Sequence, residues 1–277
     1  MAGSRIPGPI CHDPFSKYPP ARTPGPLGSN DAADPNMPAG VGDTPGSLGV
    51  NDHGELIAHV ARLNGIIGAD QLTNCGTVDQ TDFMRRVYND QLEHALNRKK
   101  FFAGLAANEL EVIEGKHKMR KDAAQACRAL LAQARADLER RQAERDEHAL
   151  KVTKIGVASA YRDPQYDKRA WEKAFRKHYK KTMHVRVGLV GGQHGDRAVE
   201  FLFKRMRGIK AVPGFSNHTS GIAVDFLTIE DNEELGPNSD QKMRWKSAWL
   251  YHWLVEHAKT YKFTQLATEE WHWDYKG

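Results

Sequence analysis

The sequence predicts an α+β fold: a small antiparallel sheet flanked by helices, preceded by a helical hairpin or bundle and a disordered N-terminal segment. Three observations predict it. In residues 151–277, short β-branched and aromatic runs bounded by Gly and Pro mix with helical stretches, without βαβ regularity. In residues 53–150, apolar residues recur at three- and four-residue steps. In residues 1–52, Pro, Gly, Asn and Asp dominate, and apolar residues are too sparse to offset the entropy of ordering.

The first segment, 1–52, contains a short repeat. Thr23-Pro24-Gly25-Pro26-Leu27-Gly28-Ser29-Asn30-Asp31 recurs as Thr44-Pro45-Gly46-Ser47-Leu48-Gly49-Val50-Asn51-Asp52. Pro-Gly and Asn-Asp favour turns. A flexible linker is one reading. A recognition or delivery tag is the other, and the closeness of the repeat favours it.

The second segment, 53–150, reads as helix. Leu56, Ile57, Val60, Leu63 and Ile66 mark one apolar stripe. Residues 79–114 continue helical, with Phe83, Val87, Leu92, Leu96 and Leu105 as candidate buried positions, and Gly115 is a break. From Lys116 to about His148 the chain is rich in Ala, Arg, Glu and Gln, with Leu131, Ala134 and Leu138 at coiled-coil-like spacing. An antiparallel helical hairpin or small bundle is expected. His94, His117 and His148 lie on a charged background and read as surface residues.

The third segment, 151–277, changes character. Residues 154–159 read as a strand, 167–180 and 196–207 as helices, and 222–227 as a buried strand followed by an acidic loop over 230–240. Residues 242–260 read as one amphipathic helix with Trp249, Trp253 and Leu254 on its apolar side, and 270–275 as a final strand.

Bulk properties exclude several classes. No apolar run approaches the roughly 18–20 residues that span a bilayer. The opening residues lack the apolar core of a signal peptide, so synthesis as a cytoplasmic protein is expected. Cys11, Cys75 and Cys127 form no CxxC pair and no disulfide framework. Residues 151–277 carry 22 Lys/Arg against 15 Asp/Glu, whereas the net charge of the whole chain is +5. A basic C-terminal part suits a polyanionic partner, either nucleic acid or an anionic cell wall, or is simply a solvated surface.

One constellation carries chemistry. In Ser216-Asn217-His218-Thr219-Ser220-Gly221-Ile222-Ala223-Val224-Asp225, a histidine precedes a glycine turn, and a strand then carries an aspartate among apolar residues. A carboxylate there is costly unless a cation or partner meets it. In Glu269-Glu270-Trp271-His272-Trp273, strand alternation would project Glu270 and His272 together, with Glu269 at a bend entering the strand. Two imidazoles and a carboxylate, with an open water position, form the pattern of catalytic zinc. Zinc lowers the pKa of bound water to roughly 7, and a nearby carboxylate can take the proton. The plainer readings are a turn histidine at 218 and an aromatic-cluster histidine at 272.

The string Ser-x-His-x-x-Gly-x-Ala-x-Asp, followed by Glu-x-Trp-His, resembles the D-alanyl-D-alanine carboxypeptidase and dipeptidase family. That family belongs to the LAS group of zinc peptidases, with lysostaphin-type enzymes, the hedgehog signalling domain and several phage endolysins. The match covers Ser216, His218, Gly221, Ala223, Asp225, Glu269, Trp271 and His272. It extends to Ser159-Ala160-Tyr161-Arg162 and to the stretch from His252 through Phe263. The resemblance spans about residues 150–277. It implies Zn2+ held by His218, Asp225 and His272, Glu269 as catalytic base, and Arg162 on the developing oxyanion or a substrate carboxylate. An arginine suits that role because it stays charged and donates in a fixed fork. Ser159, Gln165 and Ser216 are lesser candidates for substrate contact. Gln165 stands closer to the arginine than the family pattern leads one to expect, and Ser216 reads better as a turn support. The 53 residues between Arg162 and Ser216, including His178, His184, His194 and a Gly-rich stretch, suggest an insertion shaping the substrate groove.

The expected function is hydrolysis of an amide bond in peptidoglycan stem peptide or cross-link, by a D,D-carboxypeptidase or an endopeptidase. Such an enzyme, made without a signal peptide, would act at the cell wall after lysis or specialised secretion. Residues 1–150 would then contact a phage or secretion-system component. The alternative is a non-catalytic docking protein with a silent zinc domain, against which the presence of both Glu269 and Arg162 argues. Nucleic-acid binding has only charge behind it.

Overall fold

The computed structural model describes residues 50–277. Cys11, the linker-or-tag reading and the N-terminal repeat up to residue 49 lie outside the described residues; residues 50–52, the end of the second copy, open the first helix. No helix described is long and apolar enough to cross a membrane.

Two helices lead. Helix α1 spans Val50–Leu63. Helix α2 spans Val78–Leu96 and starts at a capping box: Thr77 Oγ1 accepts from the Gln80 N–H at 3.3 Å, and Gln80 Oε1 accepts from the Thr77 N–H at 3.2 Å. The helix expected to continue to residue 114 ends at Leu96. It is followed by a hairpin of β1 (Leu110–Glu114) and β2 (His117–Arg120). Gly115, read as a helix break, occupies the hairpin turn with φ +53°. Helix α3 (Lys121–Ala143) follows, burying Leu131, Ala134 and Leu138.

Strand β3 (Val152–Ser159) leads into α4 (Pro164–Lys181), capped by Asp163, whose Oδ1 accepts from the Tyr166 N–H at 2.8 Å. Short α5 (Met183–Arg186) and α6 (Asp196–Arg207) fill the segment before Ser216. Strand β4 (Ala223–Glu230) follows, then β5 (Glu233–Leu235) within the stretch expected to be an acidic loop.

The single helix expected over 242–260 is two, α7 (Lys242–Ser247) and α8 (Trp249–His257), hinged at Ala248. The buried Glu230 carboxylate explains the break. It accepts the N–H groups of Trp249 at 3.0 Å and Leu250 at 3.5 Å, so α8 starts on an anion. Strands β6 (Phe263–Gln265) and β7 (His272–Tyr275) complete an antiparallel sheet ordered β3-β4-β7-β6, with β5 on β4.

Two buried clusters hold these elements together. In one, α3, α7 and α8 cover the sheet through Leu130, Phe226, Trp245 and Trp273. In the other, α1 and α2 meet α4 and α6 through Phe83, Tyr88, Trp171 and Leu202. Within residues 53–150, α1 and α2 pack on each other and on the segment between Arg162 and Ser216, while α3 packs on the sheet.

Candidate metal centre

Strand register builds the site. Asp225 of β4 stands directly opposite His272 of β7, and Ser159 of β3 opposite Asp225. Directly opposed residues share a face of the sheet. The Asp225 carboxylate and the His272 ring thus meet on one side, with Oδ1 2.9 Å from Nδ1. His218 arrives from the preceding turn. The Thr219 N–H bonds Ser216 O at 2.9 Å and the Gly221 N–H bonds His218 O at 3.1 Å. Gly221 has φ +73°, and a Cβ there would come within 2.6 Å of Leu105 Cδ1 and 2.9 Å of the Arg120 nitrogen. Ser216 Oγ accepts from the His218 N–H at 3.3 Å, a contact that fixes the turn.

His218 Nε2 lies 3.2 Å from His272 Nδ1 and 3.3 Å from Asp225 Oδ2. The three residues are buried, and they form the group among the described residues that can hold a metal ion. Each imidazole spends its other nitrogen outward. His218 Nδ1 lies 2.6 Å from Ala160 O, and His272 Nε2 lies 3.1 Å from Asp274 Oδ1. These partners assign the N–H to the outer nitrogens and leave the inner lone pairs facing each other and the carboxylate. Three electron-rich atoms so close demand a proton or a metal cation between them. Tetrahedral zinc ligands at about 2.0–2.1 Å would stand about 3.3 Å apart, so the donor set fits that ion.

The electrostatics register the same demand. Burial disfavours charge on Asp225, but contact with His218 and His272 outweighs it and holds the carboxyl below its usual range. Burial would also depress His272, yet hydrogen bonds to Asp225 and Asp274 raise its pKa to about 9. Burial wins at His218, whose pKa is lowered.

Arg162 sits beside this group. Its Nη1 donates to Ser159 Oγ at 3.2 Å and lies 3.6 Å from Asp225 Oδ2; its Nε lies 3.3 Å from Asp167 Oδ1. Asp167, in the first turns of α4, is buried and also accepts from Lys210 Nζ at 3.1 Å and Thr219 Oγ1 at 2.9 Å. Gln165 is exposed on the same helix and lines a surface recess of about 480 Å³ with Gly104, Leu105 and Tyr161. Glu269 is half-buried in the turn before β7, where its carbonyl accepts from the His272 N–H at 3.3 Å. Glu270 lies outside the strand that was expected to carry it; its buried carboxylate stands 3.7 Å from Lys246 Nζ.

Sequence reasoning missed Asp274, Asp167 and Lys210. Asp274 had a signal, since it stands two residues after His272 on a strand and therefore on the same face. Asp167 and Lys210 had none beyond being polar near a motif. His94, His117, His148, His178, His184 and His194 lie outside the metal group. His194 Nε2 instead stands 2.7 Å from the Tyr179 hydroxyl, and His178 Nδ1 accepts from Arg205 Nε at 3.1 Å. Cys75 and Cys127 are buried free thiols; burial pushes the Cys127 pKa up to about 12.

A family model described as VanY, D-alanyl-D-alanine carboxypeptidase, matches residues 116–277. Among solved structures, VanYB in complex with D-alanine-D-alanine is 20% identical, with a TM-score of 0.40 over 63% of this chain and 82% of its own. A mutant of the vancomycin-resistance D,D-pentapeptidase VanY in complex with Zn(II) is 20% identical, with a TM-score of 0.39 over 63% of this chain and 83% of its own. The LdcB LD-carboxypeptidase is 17% identical, with a TM-score of 0.42 over 75% of this chain and 82% of its own. No curated protein sequence matches.

Proposed function

We propose that this chain, which belongs to the D-alanyl-D-alanine carboxypeptidase family, is a zinc-dependent peptidase acting on an amide bond of cell-wall peptide. One observation carries the reading: the His218, Asp225 and His272 donor atoms stand at the mutual spacing of tetrahedral zinc ligands, with both imidazoles backed by acceptors.

His218 Nε2, Asp225 and His272 Nδ1 would hold the ion. When bound, zinc supplies a water acidified to a pKa of about 7 and polarises a carbonyl. The protein does the rest. Glu269 accepts the proton of the attacking water and returns it to the leaving amine. Arg162, held by Ser159 and Asp167, presents its remaining donors to the oxyanion or to a substrate carboxylate. Asp274 and Ala160 O fix the two ring orientations.

The test is digestion of isolated peptidoglycan, followed by mass spectrometry of the products. Zinc-loaded protein is expected to release D-Ala or shortened muropeptides, and chelated protein to release none. Release of terminal D-Ala marks a carboxypeptidase; dimers split into monomers mark an endopeptidase. Glu269→Ala should cut the rate at least about a hundredfold with zinc still bound. Identical behaviour of loaded and chelated protein on every wall type would sink the proposal.

A further inference from the structure

Helix α4 leaves the candidate site with an uncommon charge distribution. It begins at Pro164, two residues after Arg162, and runs 18 residues, about 27 Å. It carries two acids, Asp167 and Glu172, and both are buried. Asp167 turns to Arg162 and Lys210; Glu172 accepts the Thr73 N–H at 2.8 Å and faces Lys168 at 3.7 Å. The outer face is left with Arg169, Lys173, Arg176, Lys177, Lys180 and Lys181. None of these six makes an ion pair among the described residues. Nearby, Arg205 of α6 reaches His178 on the same helix, and His178 is driven towards the neutral form by burial and by Arg205, Lys177 and Lys181.

Elsewhere some basic side chains are neutralised by acids, while others, among them Arg98, Lys99 and Lys100, also make no ion pair among the described residues. On α3, Arg128, Arg135 and Arg140 pair with Glu111, Glu114 and Glu144. On α6, Arg197 and Lys204 share Glu200. Lysines in the last turn of α4 complement the helix dipole, which accounts for Lys180 and Lys181. It does not account for Arg169, Lys173 and Arg176, which lie turns earlier.

We infer that the outer face of α4 is a docking surface for an anionic cell-wall polymer, engaging carboxylates on strands or peptides adjacent to the one being cut. The inference rests on the peptidase reading above. Charge complementarity supplies the attraction, and the helix that bears the face begins two residues after Arg162. Such a face raises the local concentration of a polyanionic substrate without touching the reacting atoms.

Lys173→Glu, Lys177→Glu and Lys180→Glu together reverse one helical face. They are exposed and outside the candidate catalytic group, and thermal melting checks that the full chain still folds. On a soluble stem peptide, kcat/KM of the zinc-loaded variant should match the parent. On insoluble sacculi at low ionic strength, hydrolysis and co-sedimentation should both fall about tenfold or more. At about 0.5 M salt, where screening shortens to roughly 4–5 Å, the parent should fall to the variant's level. Equal action of the two proteins on sacculi at low salt overturns the inference. So does a loss confined to vesicles of phosphatidylcholine with phosphatidylglycerol, or to duplex DNA, with wall binding intact. If neither protein hydrolyses the soluble peptide, the peptidase reading fails, while co-sedimentation with sacculi still decides the docking surface.

Discussion

The two imidazoles of the candidate site are held by unlike surroundings. His218 rides on a turn and backs onto a neutral acceptor, the carbonyl of Ala160, at 2.6 Å. His272 rides on a central strand and backs onto a carboxylate, Asp274, at 3.1 Å, with Asp225 on its inner side at 2.9 Å. The consequence is opposite charge behaviour in the metal-free protein. Burial keeps His218 neutral, while two carboxylates hold a proton on His272 up to about pH 9. One imidazole of the candidate site is free to take a metal, and the other would first have to release its proton.

The largest expected effect tests whether both are needed. His218→Ala and His272→Ala should each weaken zinc binding by roughly two to three orders of magnitude, by calorimetry or competition with a chelating dye. They should differ in the chelated state. His272→Ala leaves Asp225 and Asp274 with a lost partner each, and buried carboxylates without partners are costly. His218→Ala frees only a carbonyl and one carboxylate contact. The melting temperature of chelated protein should therefore fall further for His272→Ala, and an equal fall would break the contrast.

Acidity offers the next test. A group with a raised folded-state pKa contributes stability that is complete below its unfolded value and disappears as pH rises through the folded one. For His272 that window runs from about 6.5 to about 9. The stabilisation lost across it is at most on the order of 3 kcal/mol. Denaturant melts of chelated protein should show the loss. Zinc-loaded protein, in which the metal has replaced the proton, should not follow it, so the gap between the two forms widens with pH. A gap independent of pH would mean that His272 is not the proton-holding ligand.

A smaller effect isolates the acidic backing itself. Asp274→Asn keeps an acceptor but removes its charge, and such outer partners are worth about 10–100-fold in metal affinity. The same change should move the stability loss of the chelated protein to lower pH. Zinc affinity equal to the parent's would show that Asp274 orients Asn217 and Lys276, with which it also bonds at 2.8 and 3.2 Å, rather than His272.

The contrast also explains what was legible in the sequence. His218, Asp225 and His272 could be named from the motif strings at 216–225 and 269–272 and from the family resemblance those strings carry. The pairing of β4 with β7 then aligns the halves. The α+β class followed from segment composition. What stayed hidden was long-range. The β1–β2 hairpin was masked by helix-favouring residues on both sides. Asp167 gained its meaning only when Lys210, 43 positions away, folded against it. The division of α2 and α3 between two cores depends on partners that no local period reveals.

The smallest expected effect lies on the turn side. Thr219 is fully buried beside His218, and its hydroxyl donates to Asp167 Oδ2 at 2.9 Å. Thr219→Val keeps the shape and deletes that bond. Asp167 still faces Lys210 and Arg162, so its charge stays compensated. The expected cost is about 1–2 kcal/mol of fold stability. Zinc affinity should be unchanged, because the His218 ring is fixed by Ala160 O and by the Ser216–Gly221 turn, whose backbone hydrogen bonds the substitution keeps. Hydrolysis should slow only modestly, through a looser Arg162. A drop in zinc affinity as large as that of Asp274→Asn would mean that the turn, too, depends on a charged support, and the division between a neutral and an acidic ligand would no longer hold.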